Sequence, residues 1–533
     1  MNTNKVVLIL FGALFAQGSA AAESLPAFAT ADRAIVTTER GPVRGVMTET
    51  LRAFLGIPYA APPVGKLRWR PPEDHALWFR PLDASRFANH CPQQASVFGT
   101  ASVTEDCLYL NVFTPRPSEE ANRSRTYPVM VWIHGGAWTV GESDDYMPTK
   151  LVQQGVIIVT INYRLGALGF LAHPALSAES PDHISGNYGL MDQQFALKWV
   201  QRNIAALGGD PENVTIFGES AGGRSVLMHM ASPSAATLFH RGIIESGAYF
   251  GLNTPTLADE ESHGENFAAS IGCSNQSARC LRSKSVKKLL ANWGLFDSST
   301  NVDGKILPES PDTAFVTGQF NHVPLIHGAN HDEWRFFVAL SFDLSGAPIT
   351  PDDYPSVVES MVGPDVAPLV LAEYPLDNYD SPDLAVGAIG SDSIFTCPAR
   401  AVDQVLSAQV PTFAYEFNDT NAPELFLPPV SFPYGATHGS ELRYLFDLTW
   451  GGQLDGQQEE LSGAMLRYWT QFANSGDPNS SGLPFWRQYD VTTDEFQSLV
   501  PPTPMTNFGF STDHKCDFWG NLFGVNTQRA RGN

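Results

Sequence analysis

The stretch Gly218-Glu219-Ser220-Ala221-Gly222-Gly223 constrains this chain more than any other part of it. Ahead of it, Asn213-Val214-Thr215-Ile216-Phe217 is a β-branched and aromatic run that predicts a buried strand. Behind it, Arg224 to Met230 reads as a helix. Strand, sharp turn and helix in that order present the serine of a Gly-x-Ser-x-Gly segment at the C-terminal end of a strand. Gly218 and Gly222 leave out side chains that would crowd the turn, so Ser220 can hold a strained backbone there. A glycine-rich turn with an ordinary serine satisfies the same pattern, so the rest of the chain has to decide between the two.

Further apolar runs predict parallel strands buried on both faces, at 129–133, 156–161, 242–244, 323–326 and 412–417. Phe195, Ala196, Trp199 and Val200 fall at helical spacing and predict a helix over 191–206. Strands alternating with helices imply an α/β architecture with a doubly wound, mostly parallel sheet. Segments 250–320 and 340–400 have weaker strand signals, and they are expected to be helical and loop insertions over the sheet's C-terminal edge, where open α/β sheets bind ligands. Neither an internal repeat nor a long flexible linker is visible, so residues 23–533 are expected to form a single domain.

Residues 1–22 read as a signal peptide. Lys5 is followed by an apolar run from Val6 to Ala16, and Ser19-Ala20-Ala21-Ala22 supplies small residues for cleavage. The expected location is therefore secreted or periplasmic. That run is too short to span a bilayer and no other is long enough, so stable membrane insertion is not expected. A net charge of −23 argues against nucleic acid as a partner, since phosphates demand a basic surface. Export permits disulfides, but the six cysteines allow 15 connectivities. They form no Cys-x-x-Cys pair or Cys/His cluster at ligand spacing, so no metal site is expected.

A serine hydroxyl near neutral pH needs a base within hydrogen-bond reach. In the setting described, an acid and then a histidine follow the serine along the chain. Gly328-Ala329-Asn330-His331-Asp332-Glu333 follows a predicted strand and places two carboxylates on a loop at the sheet edge. Gly435-Ala436-Thr437-His438-Gly439 puts a histidine on a glycine-flanked loop. Upstream, His134-Gly135-Gly136-Ala137-Trp138 follows the strand ending at Ile133 and can turn backbone N–H groups toward an oxyanion, with Ala221 adding another.

These segments resemble the type-B carboxylesterase/lipase family, which includes the cholinesterases. The resemblance covers nearly the whole chain after residue 22. Gly56-Ile57-Pro58-Tyr59-Ala60, Glu105-Asp106-Cys107-Leu108-Tyr109-Leu110-Asn111, Asn162-Tyr163-Arg164, Gly186-Asn187-Tyr188-Gly189 and Phe472-Ala473-Asn474-Ser475-Gly476-Asp477-Pro478 match successive family blocks. The resemblance implies an α/β-hydrolase fold, a large central sheet flanked by helices with a cap of insertions over an active-site gorge. It also implies the bridges Cys91–Cys107, Cys273–Cys280 and Cys397–Cys516. Ser220 is then the nucleophile, Glu333 the acid (with Asp332 as its neighbour and rival) and His438 the base. Gly136, Ala137 and Ala221 become the oxyanion donors, and Glu219, Ser246 and Glu441 a polar network beside the histidine. The implied partner is a small-molecule carboxylic ester, hydrolysed through an acyl-enzyme, chemistry that needs neither a metal nor an organic cofactor.

Two departures stand out. The common Gly-Gly-Gly-Phe is Gly-Gly-Ala-Trp here, and Trp334 replaces the usual glycine after the acid. No tryptophan lies between Cys91 and Cys107, where cholinesterases carry the ring that holds a quaternary ammonium, so choline esters are disfavoured. Trp138, Trp293, Phe296, Phe336 and Phe337 are candidates for lining the acyl or alcohol pockets, with core packing as the competing role of each. Two other readings stand beside the esterase. One is a lipase acting on aggregated lipid, with the loop between Cys91 and Cys107 as a lid. The other is a catalytically silent binding protein on the same fold.

Overall fold

The computed structural model describes residues 34–116, 126–249, 254–448 and 450–523. The predicted signal peptide, 1–22, lies outside them. In chain order the strands are β1 (Ile35–Thr37), β2 (Pro42–Arg44), β3 (Val46–Met47), β4 (Leu51–Pro58), β5 (Leu82–Asp83), β6 (Tyr109–Pro115) and β7 (Tyr127–Ile133). They continue with β8 (Ile157–Ile161), β9 (Gly209–Glu219), β10 (Arg241–Glu245), β11 (Leu325–Asn330), β12 (Thr412–Phe417), β13 (Phe496–Leu499) and β14 (Met505–Asn507). β1, β2 and β5 form a small sheet, and the other eleven form one large sheet ordered β14-β13-β12-β11-β10-β9-β7-β8-β6-β4-β3. Every pair from β13 across to β8 is parallel, and the antiparallel pairs lie at the two flanks.

The continuous apolar runs have the expected cause. In β7, Val129, Val131 and Ile133 enter one core while Met130 and Trp132 enter the core on the opposite face. β8 divides in the same way, with Ile157, Val159 and Ile161 on one side and Ile158 on the other. Both faces are covered, so neither position of the two-residue repeat is left to solvent.

Boundaries differ from the sequence reading at two places that matter. β11 starts at Leu325, after Pro324, and runs on through Gly328-Ala329-Asn330, which were expected in a loop. Pairing on both sides carries it further: Gly328 sits between Glu245 and Tyr415, and Asn330 pairs with Phe417. The helix expected over 191–206 is Tyr188–Asn203, followed by a 3-10 turn at Ile204–Leu207 that Gly208 ends in the left-handed region. Segments 250–320 and 340–400 hold short helices such as Leu257–Ser270, Pro311–Thr317, Tyr354–Val362 and Pro382–Gly390, as expected of insertions. The bonds Cys91–Cys107, Cys273–Cys280 and Cys397–Cys516 are all formed, the last beside a third core built around Tyr374, Phe496 and Trp519. No helix among the described residues is long and apolar enough to cross a membrane.

Candidate active site

β9 ends at Glu219 and the helix Ala221–Ala231 begins two residues later, leaving Ser220 alone at the turn. Its φ of 55° and ψ of −121° are strained for a residue with a side chain. The turn is held by Ser220 N–H donating to Glu245 O (2.9 Å) and by Arg224 N–H donating to Ser220 O (2.8 Å). A Cβ on Gly222 would lie 1.9 Å from Ile133 O, so only glycine lets the elbow close against the end of β7. Ala221 is the first residue of its helix, and its N–H therefore has no partner within that helix.

The loop after β7 lies directly against this elbow. A Cβ on Gly135 would meet Glu219 Oε2 at 2.8 Å. Gly136, Ala137 and Trp138 follow with φ of 93°, 53° and 55°, three successive residues in the left-handed region. For a residue with a side chain that conformation costs roughly 1–2 kcal/mol, so the turn needs outside support. His134 at its start is buried, stacks on Tyr163 at 4.4 Å and accepts the Tyr163 hydroxyl on its carbonyl. Burial lowers its imidazole to about 4, which keeps it neutral.

His438 and Glu333 meet from loops 105 residues apart. His438 Nδ1 lies 2.6 Å from Glu333 Oε2, and Glu333 Oε1 accepts the Asn330 N–H at 2.8 Å. Asp332 faces elsewhere: it accepts the Ala436 N–H at 2.9 Å and pairs with Arg335 and His331. His438 Nε2 lies 3.2 Å from Glu219 Oε1. Among the described residues Ser220 Oγ makes no hydrogen bond, to His438 or to any other group.

Four buried glutamates crowd this region. Burial pushes the Glu219 carboxyl up to about 7, with His438 opposing and Glu333 adding to the rise. Burial likewise lifts Glu245 to about 8, and it moves Glu441 well above the usual range. Glu245 accepts the Trp469 indole N–H at 2.8 Å, while Glu441 accepts from Asn330. Burial alone would lower His438, but Glu219 and Glu333 outweigh it and raise the imidazole above its ordinary value. Ser246, expected in this network, has φ 53° and a buried hydroxyl with no hydrogen-bond partner among the described residues.

The aromatic candidates separate into two groups. Phe337 and Phe336 lie 5.2 and 6.3 Å from the His438 ring, and Phe336 lines a narrow crevice beside it together with Phe426, Tyr434 and Glu424. The other three have different surroundings. Trp138 and Trp293 are buried in the core, bonded to Ser225 and Ser298, and Phe296 is 44% exposed. Sequence reasoning missed Phe395, 5.0 Å from the His438 ring on a π-helical turn (Ser391–Thr396), because that turn has no local signature. It also missed Phe426, which touches Phe336 and Phe98. The Trp334 departure is accommodated by Gly390, where a Cβ would stand 2.0 Å from the indole.

Two groups place three potential metal ligands within 4.8 Å of one another, His331/Glu416/His514 and His90/Glu142/Asp144. His514 and His90 already have both ring nitrogens on carboxylates, which makes each a charged imidazolium clasp. His514 bonds Asp392 at 2.6 Å and Glu416 at 2.8 Å; burial opposes its charge, but the two carboxylates push it up to about 10. His90 pairs with Asp144 and Glu142, and is likewise raised, to about 9, against the effect of burial.

A model of the carboxylesterase family matches residues 32–519. An acylcarnitine hydrolase of Mus musculus is 36% identical over 507 residues, spanning 88% of this chain and 88% of that protein. A cocaine esterase of Homo sapiens is 33% identical over 523 residues, spanning 91% and 90%. A para-nitrobenzyl esterase of Bacillus subtilis (strain 168) is 34% identical over 492 residues, spanning 86% and 94%.

Proposed function

The chain belongs to the carboxylesterase family, whose members are carboxylic ester hydrolases of the α/β-hydrolase fold, and from that premise we propose that it cleaves esters with a Ser220–His438–Glu333 triad. The observation that carries this reading is a strained serine at the end of β9 whose chain neighbour Glu219 lies against Nε2 of a histidine that a buried carboxylate holds at its far nitrogen.

Ser220 Oγ attacks the ester carbonyl carbon and gives its proton to His438 Nε2. Glu333 at Nδ1 holds the ring in the tautomer that leaves Nε2 free to accept, and it stabilises the imidazolium that forms. Negative charge gathering on the carbonyl oxygen is met by the N–H groups of Gly136, Ala137 and Ala221. As the tetrahedral intermediate collapses, the bond to the alcohol oxygen breaks and His438 returns the proton to that oxygen. Water, deprotonated by the same nitrogen, then attacks the acyl carbon; the bond to Ser220 Oγ breaks, His438 returns the proton to that oxygen and the acid leaves.

The substrate is a small-molecule ester with apolar groups beside the carbonyl, to suit Phe336, Phe337 and Phe395 around His438. Residues 23–533 act as a single domain, exported under the direction of segment 1–22, which is then cleaved off; the three disulfides support an oxidising location. One observation favours the lipase reading, namely that Phe98, from the loop between Cys91 and Cys107, covers Phe336 and Phe426. A sharp rise in rate above a substrate's solubility limit would support it, whereas plain saturation on dissolved esters supports the esterase.

The decisive experiment is labelling with a serine-directed organophosphate, followed by peptide mapping. Stoichiometric modification of Ser220 with loss of esterase activity is expected. Full activity in Ser220→Ala would overturn the triad.

A further inference from the structure

Trp138 stands where it can govern the oxyanion loop from within the core. It closes the run of three left-handed residues that begins at Gly136, and its own carbonyl is held by the Gly166 N–H at 2.8 Å. Its ring is buried against Phe170 at 5.4 Å, and its indole N–H reaches across to the helix Ala221–Ala231, bonding Ser225 Oγ at 2.9 Å.

Ser225 leads back to the other half of the hole. Its hydroxyl donates to Ala221 O at 2.9 Å, and Ala221 is the residue whose N–H opens that helix. The same oxygen accepts a second N–H, from Gln193 Nε2 at 3.2 Å. The hydroxyl's one donor and two acceptor positions are thus all used, and its proton has only Ala221 O to go to. Gln193 Oε1 in turn faces His229 Nε2 at 2.8 Å. Burial lowers His229 to about 3, so the ring is neutral and Nε2 carries its single proton toward Gln193. The direction of every bond follows: His229 to Gln193, Gln193 and Trp138 to Ser225, Ser225 to Ala221. All four side chains are buried.

We propose that Trp138 is a positioning residue for the oxyanion hole, its indole N–H acting through Ser225 to lock the strained Gly136–Ala137 turn onto the helix that presents the Ala221 N–H. This rests on the assignment of those three N–H groups as oxyanion donors. Without the lock the turn has lower-energy conformations to relax into, and a donor misplaced by about 1 Å can cost about 100-fold in rate.

The test is Trp138→Phe, which keeps an aromatic ring in the core while removing the N–H along with part of the ring, with Ser225→Ala as a second variant that leaves the ring whole and removes the acceptor instead. Both are assayed on a soluble short-chain ester. The expected result is a fall in kcat of roughly 10- to 100-fold with KM nearly unchanged, and a matching loss of affinity for a trifluoromethyl ketone that mimics the tetrahedral intermediate. Organophosphate labelling of Ser220 should still reach one equivalent, which separates a loosened hole from a failure of the triad reading. A folded Trp138→Phe protein with wild-type kcat and ketone affinity would overturn the proposal. So would losses shared equally between KM and kcat, as a merely structural role would give. Should Trp138→Phe not fold, Ser225→Ala alone decides by the same measurements.

Discussion

His438 Nε2 lies 3.2 Å from Oε1 of Glu219, the residue immediately before the serine in the chain. In the proposed triad the proton-accepting nitrogen of His438 thus sits against a buried carboxylate, while its other nitrogen is held by Glu333. Glu219 favours the charged imidazole. In Glu219→Gln the imidazole should titrate at lower pH, so the neutral base persists further into acid and the acid limb of kcat/KM moves down. The maximal kcat should fall as well, because the imidazolium of the transition state loses a counter-charge. A pH–rate profile checks both signs; an unmoved acid limb would remove Glu219 from the electrostatics of the base.

Neighbouring carboxylates should behave in opposite ways. Glu333→Gln is expected to lower kcat by about 10,000-fold, on the scale seen when a triad acid is made neutral, with little change in thermal stability. Asp332 receives the Ala436 N–H and pairs with Arg335 and His331. Asp332→Asn should retain the chemistry and lose about 1–3 kcal/mol of stability, as for a buried charge-assisted bond. Urea denaturation and steady-state kinetics on the two variants separate the roles.

Gly222→Ala adds a single methyl 1.9 Å from the Ile133 carbonyl oxygen, against backbone that cannot swing away. Overpacking of this kind costs about 1–3 kcal/mol. Here it also pushes β7, and the oxyanion loop that follows it, away from Ser220. Loss of more than about 100-fold in kcat/KM is expected from misplacement near 1 Å. Near-normal activity in the variant would show that the elbow is held less tightly than these contacts require.

The clasp formed by His514 makes the fold sensitive to alkali. Its imidazole is raised to about 10 between Asp392 and Glu416, above its ordinary 6.5. A group raised in the folded state contributes stability that is complete below the unfolded value and is lost as pH climbs through the folded one. Unfolding free energy should therefore decline from about pH 6.5 to about pH 10. In His514→Gln that decline should be shallower, the part due to His90 remaining, with lower stability already at pH 6. Denaturation curves across that window test it, and an identical alkaline slope in the variant would count against the clasp.

Local chemistry was legible wherever a constraint acts over a few residues. Gly218 to Gly223 specified a strand–turn–helix because only glycine tolerates the approach of Ile133, and the apolar runs specified strands covered on both faces. The bridges and the family followed from resemblance across many short blocks. Other features depend on residues far apart in the chain. Asp332 and Glu333 are adjacent and chemically alike, and which of them meets His438 was decided by how far β11 extends beside β12. Trp138 could be a pocket or a core residue alike, because nothing near it in the sequence reveals Ser225 as its acceptor. Phe395 was invisible because a π-helical turn, rather than a periodic pattern, brings it over the base. The sequence by itself determined the backbone that strains at Ser220 and the types of group available to it. Only tertiary structure decided which of those groups face one another, since a side chain's partner is set by strand register and packing between segments a hundred residues apart.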